Sequence, residues 1–390
     1  MLQTREFRIP ETLVVGSGAL GRLGEVVSGR GRRNVLLVTD TVMRGLGFVA
    51  SAERNLSACG VACATYDGIA TEPIVAHVEE GLGIYRASEC DGVVALGGGS
   101  VLDAGKAIAA MATHPGSIVE YKGLGKLREP TAPLVAIPTT AGTGSEATPF
   151  TIITDPETDT KMLIGSPFLL PGVALVDPTL TGSCPRGVTA ATGIDALVHA
   201  IEAYVSARAQ PMSDLFALSA IEQIVGSLHR AWANGADTEA REQVMLGALQ
   251  AGIAFGNASV ALVHGMSRPI GAHFHVAHGV SNAALLAVVM EWSVSGNPGR
   301  YARIARAMGV AHEARGSEGE LARAGVDAVR RLLASIEIPS LSELVPDRAR
   351  FFDLAPRMAD AAIDSGSPGN NPRRPAKEEI VELYKRAYDG

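Results

Sequence analysis

The chain has 390 residues, a formal net charge of −7 and 47% hydrophobic residues. This length predicts about two to three domains, and the acidic balance excludes the basic surface on which nucleic-acid binding depends. The four cysteines match neither a disulfide framework nor a metal knuckle. No apolar stretch approaches the ~18 to 20 residues of a membrane span, and the N-terminus lacks a signal-peptide pattern. We therefore expect a cytoplasmic protein with no membrane partner.

Short apolar runs alternate with helical patterns in the first half of the chain, which is typical of a parallel sheet with helices on both faces. From about Val188 onward, apolar residues recur at helical spacing and strand-like runs disappear. We therefore predict an α/β domain over residues 1–185 and an all-α domain over residues 186–390. The predicted strands cover residues 12–15, 35–39, 64–66, 92–96, 134–137, 151–154 and 173–176.

The segment DGVVALGGGSVLDAGKA contains the first candidate binding site. Gly97, Gly98, Gly99 and Ser100 follow a predicted strand, and a helix is predicted to begin directly after them, with Asp103 in its first turn. Glycines let the backbone approach a phosphate closely, and the free N–H groups of a helix start favour an anion. The segment is not the GxGxxG fingerprint of a standard Rossmann domain, so a tight strand–helix turn remains the alternative.

A second polar loop, PTTAGTGSE, follows another predicted strand. Thr139, Thr140, Thr143 and Ser145 offer hydroxyl donors to a phosphate or a ribose. The alternative is a turn whose hydroxyls bind their own backbone. Because ligands gather at the carboxyl ends of parallel strands, two such loops favour a nucleotide site.

Asp40 ends an early predicted strand. A carboxylate in this place can accept both ribose hydroxyls of NAD and would repel the additional phosphate of NADP. The alternative, which the sequence supports equally well, is that Asp40 caps the next helix.

The second half of the chain carries a candidate metal site. Asp195 and His199 are four residues apart in the helical segment GIDALVHAIEAY, so their side chains share a face. One carboxylate with two or three imidazoles suits Zn²⁺ or Fe²⁺ and leaves positions open for a substrate. Spacing alone does not decide which imidazoles bind. Four further histidines fall within 15 residues: His264, His273, His275 and His278.

Together with the late segment NNPRRPAKEEIVELY, these motifs resemble the iron-containing (group III) alcohol dehydrogenase family over essentially the whole chain. The resemblance implies a dinucleotide-binding α/β domain followed by a helical domain, NAD more than NADP as cofactor, and Fe²⁺ with Zn²⁺ as the alternative ion. The implied metal ligands are Asp195, His199, His264 and His278. The implied cofactor-binding residues are Asp40, Gly97, Gly98, Gly99, Ser100, Asp103, Thr139, Thr140, Thr143, Ser145, Lys161 and Leu180.

The resemblance also implies an activity, which is reversible hydride transfer between a small alcohol and NAD with the metal polarising the substrate oxygen. Relatives are commonly homodimers or higher homo-oligomers. The positions expected to act in catalysis are His278, His273 and Arg268. His273 or His275 is a candidate proton relay, and the alternative for either is a packed or metal-adjacent imidazole.

The chain departs from the family pattern at three positions, where Glu72 replaces an asparagine, Ala277 a proline and Arg268 a histidine. The substrate-side segment of residues 147–152 matches no single substrate class, so the resemblance does not assign a substrate. A guanidinium near the metal could pair with a carboxylate or phosphonate of a substrate. The alternative is an ion pair with a nearby Asp or Glu, or a contact with the cofactor phosphate. The competing activities are a dehydroquinate-synthase-like lyase or cyclase, a reductase of acid-bearing aldehydes, and a nucleotide-binding protein without catalysis.

Overall fold

The computed structural model describes residues 4–158, 160–310 and 317–390. These form two compact units: one spans residues 8–183, and the other combines the segment up to Phe7 with residues 184–390. Phe7 stacks on Phe216 at a ring-centroid distance of 5.8 Å, and Gln210 Nε2 donates to the Glu6 carbonyl at 3.0 Å. The N-terminal segment thus belongs to the helical unit, whereas the sequence-based division placed it in the first domain.

The unit of residues 8–183 contains two sheets. The six-stranded sheet is parallel throughout, in the order β1-β9-β6-β4-β2-β3, and a small sheet has the order β5-β8-β7 with β7 antiparallel to β8. The strands are β1 (Thr12–Val15), β2 (Asn34–Val38), β3 (Ala62–Tyr66), β4 (Gly92–Gly97), β5 (Gly123–Leu124), β6 (Leu134–Pro138), β7 (Phe150–Asp155), β8 (Thr160–Gly165) and β9 (Val173–Val176).

Strands β4, β6 and β9 are buried along their whole length, as expected when helices cover both faces of a parallel sheet. All seven predicted strands are present, and the predicted α/β class is confirmed. Strands β5 and β8 were not predicted, because β5 has two residues and β8 mixes exposed and buried positions. The helices of this unit are α1 (Leu23–Gly29), α2 (Thr41–Gly45), α3 (Phe48–Ala58), α4 (Val75–Ala87) and α5 (Gly99–Thr113).

The second unit is helical over its described residues, as predicted. Helix α6 is almost entirely buried from Gly193 to Val205, which is typical of a central helix surrounded by others. A Cβ at Gly193 would overlap Leu228, so this glycine allows α6 and α7 to pack closely. The helices are α6 (Arg186–Val205), α7 (Pro211–Ala233), α8 (Thr238–Ala258), α9 (Leu262–Phe274), α10 (His278–Ser293), α11 (Pro298–Ala307), α12 (Glu318–Ser335), α13 (Leu341–Leu344), α14 (Arg348–Asp364) and α15 (Lys377–Asp389).

Within the described residues, no single helix is both long enough and apolar enough to cross a membrane. Helices α8 and α9 meet that criterion only as a pair, and the chain bends by 102° between them.

Candidate metal centre and dinucleotide loops

Three helices bring four predicted metal ligands together. Asp195 and His199 lie on α6, His264 on α9, and His278 is the first residue of α10. The Asp195 carboxylate lies 3.8 Å from Nε2 of His264, 3.8 Å from Nε2 of His278 and 4.0 Å from Nδ1 of His199. Asp195, His199 and His264 are buried, whereas the His278 side chain is 42% exposed. The cluster therefore has one side open to a substrate.

The donor set fits a divalent first-row metal ion. Ligand atoms of Asp195, His199 and His264 all lie within 4.8 Å of one another, whereas two such ligands of one ion are about 3 to 3.5 Å apart. One carboxylate and three imidazoles suit Fe²⁺ or Zn²⁺ better than Mg²⁺ or Ca²⁺, which prefer oxygen.

Glu202 fixes both the start of α9 and the orientation of His264. Its buried carboxylate accepts hydrogen bonds from the backbone N–H groups of Ala261 at 2.9 Å and Val263 at 2.5 Å. It also lies 2.7 Å from Nδ1 of His264. Because a carboxylate only accepts, Nδ1 carries the proton and Nε2 keeps the lone pair that a metal needs.

A close helix contact brings His278 to the cluster. A Cβ at Gly279 would lie 2.5 Å from the Ala191 carbonyl oxygen, so only glycine lets the start of α10 approach α6 this closely. Asn282, one turn further along α10, donates from Nδ2 to Asp195 Oδ1 at 2.6 Å. Helix α10 therefore supplies one ligand and one hydrogen-bond partner of another.

The charges of the cluster favour metal binding. Burial opposes ionisation of Asp195, but the neighbouring imidazoles of His199, His278 and His264 outweigh it, so its pKa lies below the ordinary value. Burial and the adjacent imidazoles hold the pKa of His264 well below its ordinary value. The site thus presents an ionised carboxylate beside a neutral imidazole, which are the forms that bind metals.

Aromatic packing fixes His199. Its ring stacks on Phe255 at 4.1 Å and on His264 at 4.5 Å between centroids. Phe255 is half-buried, and its stack with His199 restricts the orientation of that imidazole ring.

The remaining predicted catalytic positions follow His264 along α9. Arg268 is half-buried, and its Nη1 donates to Ser367 Oγ at 3.0 Å. Within the described residues no carboxylate lies within 4.0 Å of it, so the ion pair considered as an alternative is absent there. His273 is half-buried in the last turn of α9, and His275 ends that helix with a φ of +56°. The structure gives neither histidine a contact with the four ligands.

The two glycine- and hydroxyl-rich loops lie side by side in the other unit. Gly97 ends β4 and pairs in register with Pro138 at the end of β6, and the Thr139 N–H donates to the Gly97 carbonyl at 3.0 Å. Gly98 precedes α5, and Gly99 and Ser100 form its first turn. A Cβ at Gly99 would lie 2.6 Å from the Thr143 side chain. The backbone at the start of α5 thus lies beside the threonine loop, an arrangement in which free N–H groups of a helix start are available to an anion.

Two predicted cofactor residues bind each other. Asp103 Oδ1 accepts from Ser145 Oγ at 2.7 Å, and its Oδ2 accepts from the Ile152 N–H at 3.0 Å. Buried Lys106 donates to the Thr148 and Phe150 carbonyls at 2.8 and 2.7 Å. These bonds join α5 to the second loop and to β7, so Asp103 and Ser145 support the loops from within the protein.

Three further predicted cofactor-binding residues lie in different surroundings: Asp40, Lys161 and Leu180. Asp40 caps α2, since its Oδ1 accepts from the Met43 N–H at 2.8 Å, and its second carboxylate oxygen is not needed for the cap. Lys161 on β8 pairs with Glu72 at 2.6 Å. Leu180 is buried in the core of this unit.

The sequence analysis did not predict a functional role for Glu202, Asn282 or Phe255. Glu202 lies seven residues after Asp195, and Asn282 lies four after His278, so helical spacing placed both on the ligand-bearing faces. That signal was available in the sequence. Phe255 comes from α8, and no local spacing connects it with His199.

Two family models together match most of the chain. "Iron-containing alcohol dehydrogenase" matches residues 10–178, and "Fe-containing alcohol dehydrogenase family, C-terminal" matches residues 189–388. The chain belongs to the iron-containing alcohol dehydrogenase family. The resemblance inferred from the motifs is thereby confirmed.

Relatives of this iron-containing alcohol dehydrogenase align with it over nearly the full length of both chains. Lactaldehyde reductase of Escherichia coli (strain K12) is 40% identical, over 97% of this chain and 98% of its own. A solved 1,3-propanediol oxidoreductase has a TM-score of 0.95 and 37% identity, covering 99% of this chain and all of the other. Sulfoacetaldehyde reductase from Bifidobacterium kashiwanohense, solved in complex with NAD⁺, has a TM-score of 0.89 and 28% identity, with 99% of each chain covered.

The protein is therefore an oxidoreductase of the iron-containing alcohol dehydrogenase family. None of these three relatives is named as a cyclase; lactaldehyde and 1,3-propanediol are neutral, whereas sulfoacetaldehyde carries an acid group.

Proposed function

We propose that the protein interconverts a short, neutral primary or small secondary alcohol and its aldehyde or ketone with NAD as hydride carrier. Lactaldehyde and 1,3-propanediol, which appear in the names of relatives, support substrates of about this size. Fe²⁺ is the proposed ion and Zn²⁺ the alternative. The observation that carries the proposal is that ligand atoms of Asp195, His199 and His264 lie within 4.8 Å of one another, with Nε2 of the half-exposed His278 3.8 Å from the Asp195 carboxylate.

The proposed roles follow from the contacts of each group. Bound at these four side chains, the ion supplies Lewis-acid polarisation of the substrate oxygen, and NAD accepts or gives the hydride. Residues 97–100 would bind the pyrophosphate through backbone N–H groups at the start of α5. The hydroxyls of Thr139, Thr140 and Thr143 would orient the cofactor, and the second carboxylate oxygen of Asp40 would accept its ribose hydroxyls. Lys161 and Leu180 would line the cofactor site.

Two further side chains are assigned to the substrate side. His273 is proposed to pass the alcohol proton towards solvent, since it lies half-buried about two and a half turns beyond His264, near the end of the same helix, with His275 as the alternative. Arg268, one turn after His264, is proposed to limit the space beside the substrate. Both assignments depend on the position of these residues along α9.

The test is accumulation of NADH. Metal-stripped protein reloaded with Fe²⁺ or Zn²⁺ should produce NADH from NAD⁺ with propane-1,2-diol or 1,3-propanediol. H264A should lose bound metal and activity together, whereas H229A, which alters an exposed histidine on α7, should retain both. Full activity of metal-free H264A would contradict the proposal. Cofactor that is reduced and reoxidised without NADH release would favour a cyclase.

We also propose that the protein acts in the cytoplasm as a homodimer or higher homo-oligomer, as the sequence led us to expect. Sedimentation velocity of the purified protein tests the oligomeric state, and a monomer at micromolar concentration would contradict it.

A further inference from the structure

Asn282 connects three of the four proposed metal ligands. It is fully buried on α10, and its Nδ2 lies 2.6 Å from Asp195 Oδ1, 3.2 Å from His278 Nε2 and 3.3 Å from His264 Nε2. An amide nitrogen can only donate hydrogen bonds, so each contact is directed at a lone pair. One side chain thus faces the lone pairs of ligands that come from α6, α9 and α10.

The protonation of His264 agrees with this arrangement. Its Nδ1–H donates to Glu202, so its Nε2 is an acceptor and the Asn282 amide is a suitable donor for it. The contacts with His264 and His278 are longer than the contact with Asp195, as expected when two N–H groups serve three acceptors. Asp195 therefore has the strongest bond. An imidazole nitrogen has a single lone pair, so a bound metal would displace the amide from His264 and His278, whereas the Asp195 carboxylate has further lone pairs and can keep its bond to Asn282.

Nothing else among the described residues explains the burial of this amide. Its Oδ1 is buried without a hydrogen-bond partner there, and its Nδ2 contacts only the ligands. An amide buried for fold stability would be expected to bond the surrounding backbone, because an unsatisfied polar group costs about 1 to 3 kcal/mol. Within the described residues, the hydrogen bonds of the Asn282 side chain are all to proposed metal ligands.

We infer that Asn282 is a positioning residue of the metal centre, which orients the Asp195 carboxylate for the ion through its hydrogen bond to Oδ1. The inference rests on the proposed ligand set. Hydrogen-bond partners of metal ligands commonly contribute 10- to 100-fold to metal affinity. Because the amide ties Asp195 on α6 to α10, its removal should weaken metal binding by an amount within this range.

The test measures metal binding directly. In N282L, a side chain of similar shape without N–H groups replaces the amide. We expect Zn²⁺ affinity of the metal-stripped protein, measured by competition with a chromophoric chelator, to fall about 10- to 100-fold. The visible absorption of the Co²⁺-loaded protein should shift, since the ligand directions change, while NADH affinity should be unaffected. N282S has a shorter polar side chain than asparagine and should show the same loss of Zn²⁺ affinity. It replaces N282L as the test variant if N282L does not fold.

A matched control separates positioning from general stability. Asn371 is also buried, and its amide donates to Ser293 Oγ and the Arg373 carbonyl without contact to the ligands. N371A should lower the urea midpoint but leave Zn²⁺ affinity and the Co²⁺ spectrum unchanged. Unchanged or tighter Zn²⁺ binding in a folded Asn282 variant would overturn the inference. If H264A also bound Zn²⁺ normally, the proposed ligand set itself would be wrong.

Discussion

Glu202 accepts a hydrogen bond from His264 Nδ1 at 2.7 Å while two N–H groups at the start of α9 bind the same carboxylate. The orientation of a metal ligand is thereby coupled to the placement of the helix that carries it. A group buried for packing alone would not need three donors directed at it.

We expect E202Q to weaken Fe²⁺ or Zn²⁺ binding by about 10- to 100-fold. A glutamine has only one acceptor oxygen, so it cannot satisfy the three N–H donors, and the tautomer of His264 is no longer fixed. Chelator competition on the metal-stripped protein measures the effect. E222Q, which alters an exposed acid on α7, is the control and should bind metal as the wild type does.

The carboxylate of Asp40 provides a test of cofactor choice. D40N keeps a side chain that caps α2 but removes the negative charge. We expect kcat/KM for NADP⁺ to rise relative to NAD⁺ by about tenfold, which corresponds to roughly 1.4 kcal/mol. D91N changes an acid before the start of β4, bonded to the backbone of Arg33 and Asn34, and should leave the ratio unchanged. An unaltered ratio in D40N would limit Asp40 to its capping role.

Glu146 should make the stability of the protein depend on pH. Burial raises its pKa to about 7 from 4.5, so the folded protein keeps a proton that the unfolded chain loses. The free energy of unfolding should therefore be highest below about pH 4.5 and fall as the pH rises to 7, by about 3 kcal/mol in total. Burial lowers the pKa of neighbouring Lys106 only to about 8, so its charge is largely constant in this window.

Urea unfolding followed by circular dichroism at pH 5 and pH 7 measures this dependence. E146Q should lose less stability than the wild type between the two values, because glutamine does not ionise. E79Q removes an exposed carboxylate on α4 and should behave like the wild type. Identical pH profiles for E146Q and the wild type would show that Glu146 ionises normally.

Arg268 provides a test of the substrate charge. Its guanidinium bonds to Ser367, and the relatives are named for neutral as well as anionic aldehydes. We expect R268A and R268H to change kcat/KM by similar factors for glycolaldehyde and for glyoxylate, because the proposed substrate is neutral. A loss at least tenfold larger for glyoxylate would instead assign Arg268 to a substrate carboxylate.

The sequence was most informative where function depends on short spacings. Asp195 and His199 share one helical turn, and the glycine loop follows a continuous apolar strand, so both features were predictable. The meeting of α6, α9 and α10 was not, because it depends on close contacts such as that of Gly279 with Ala191. Residue type alone also did not distinguish cofactor binding from bonding within the protein. Asp103 and Ser145 are suitable residue types for binding a cofactor, yet in the structure they bond to each other.

The division of the chain has a consequence for its synthesis. Residues 8–183 form one uninterrupted unit, whereas the other unit combines the described residues before 8 with those after 183. The sheet unit can therefore fold while the ribosome is still translating the helices. The N-terminal segment cannot dock before Phe216 has been synthesised, so a bulky N-terminal fusion would interfere with assembly of the helical unit rather than of the sheet unit.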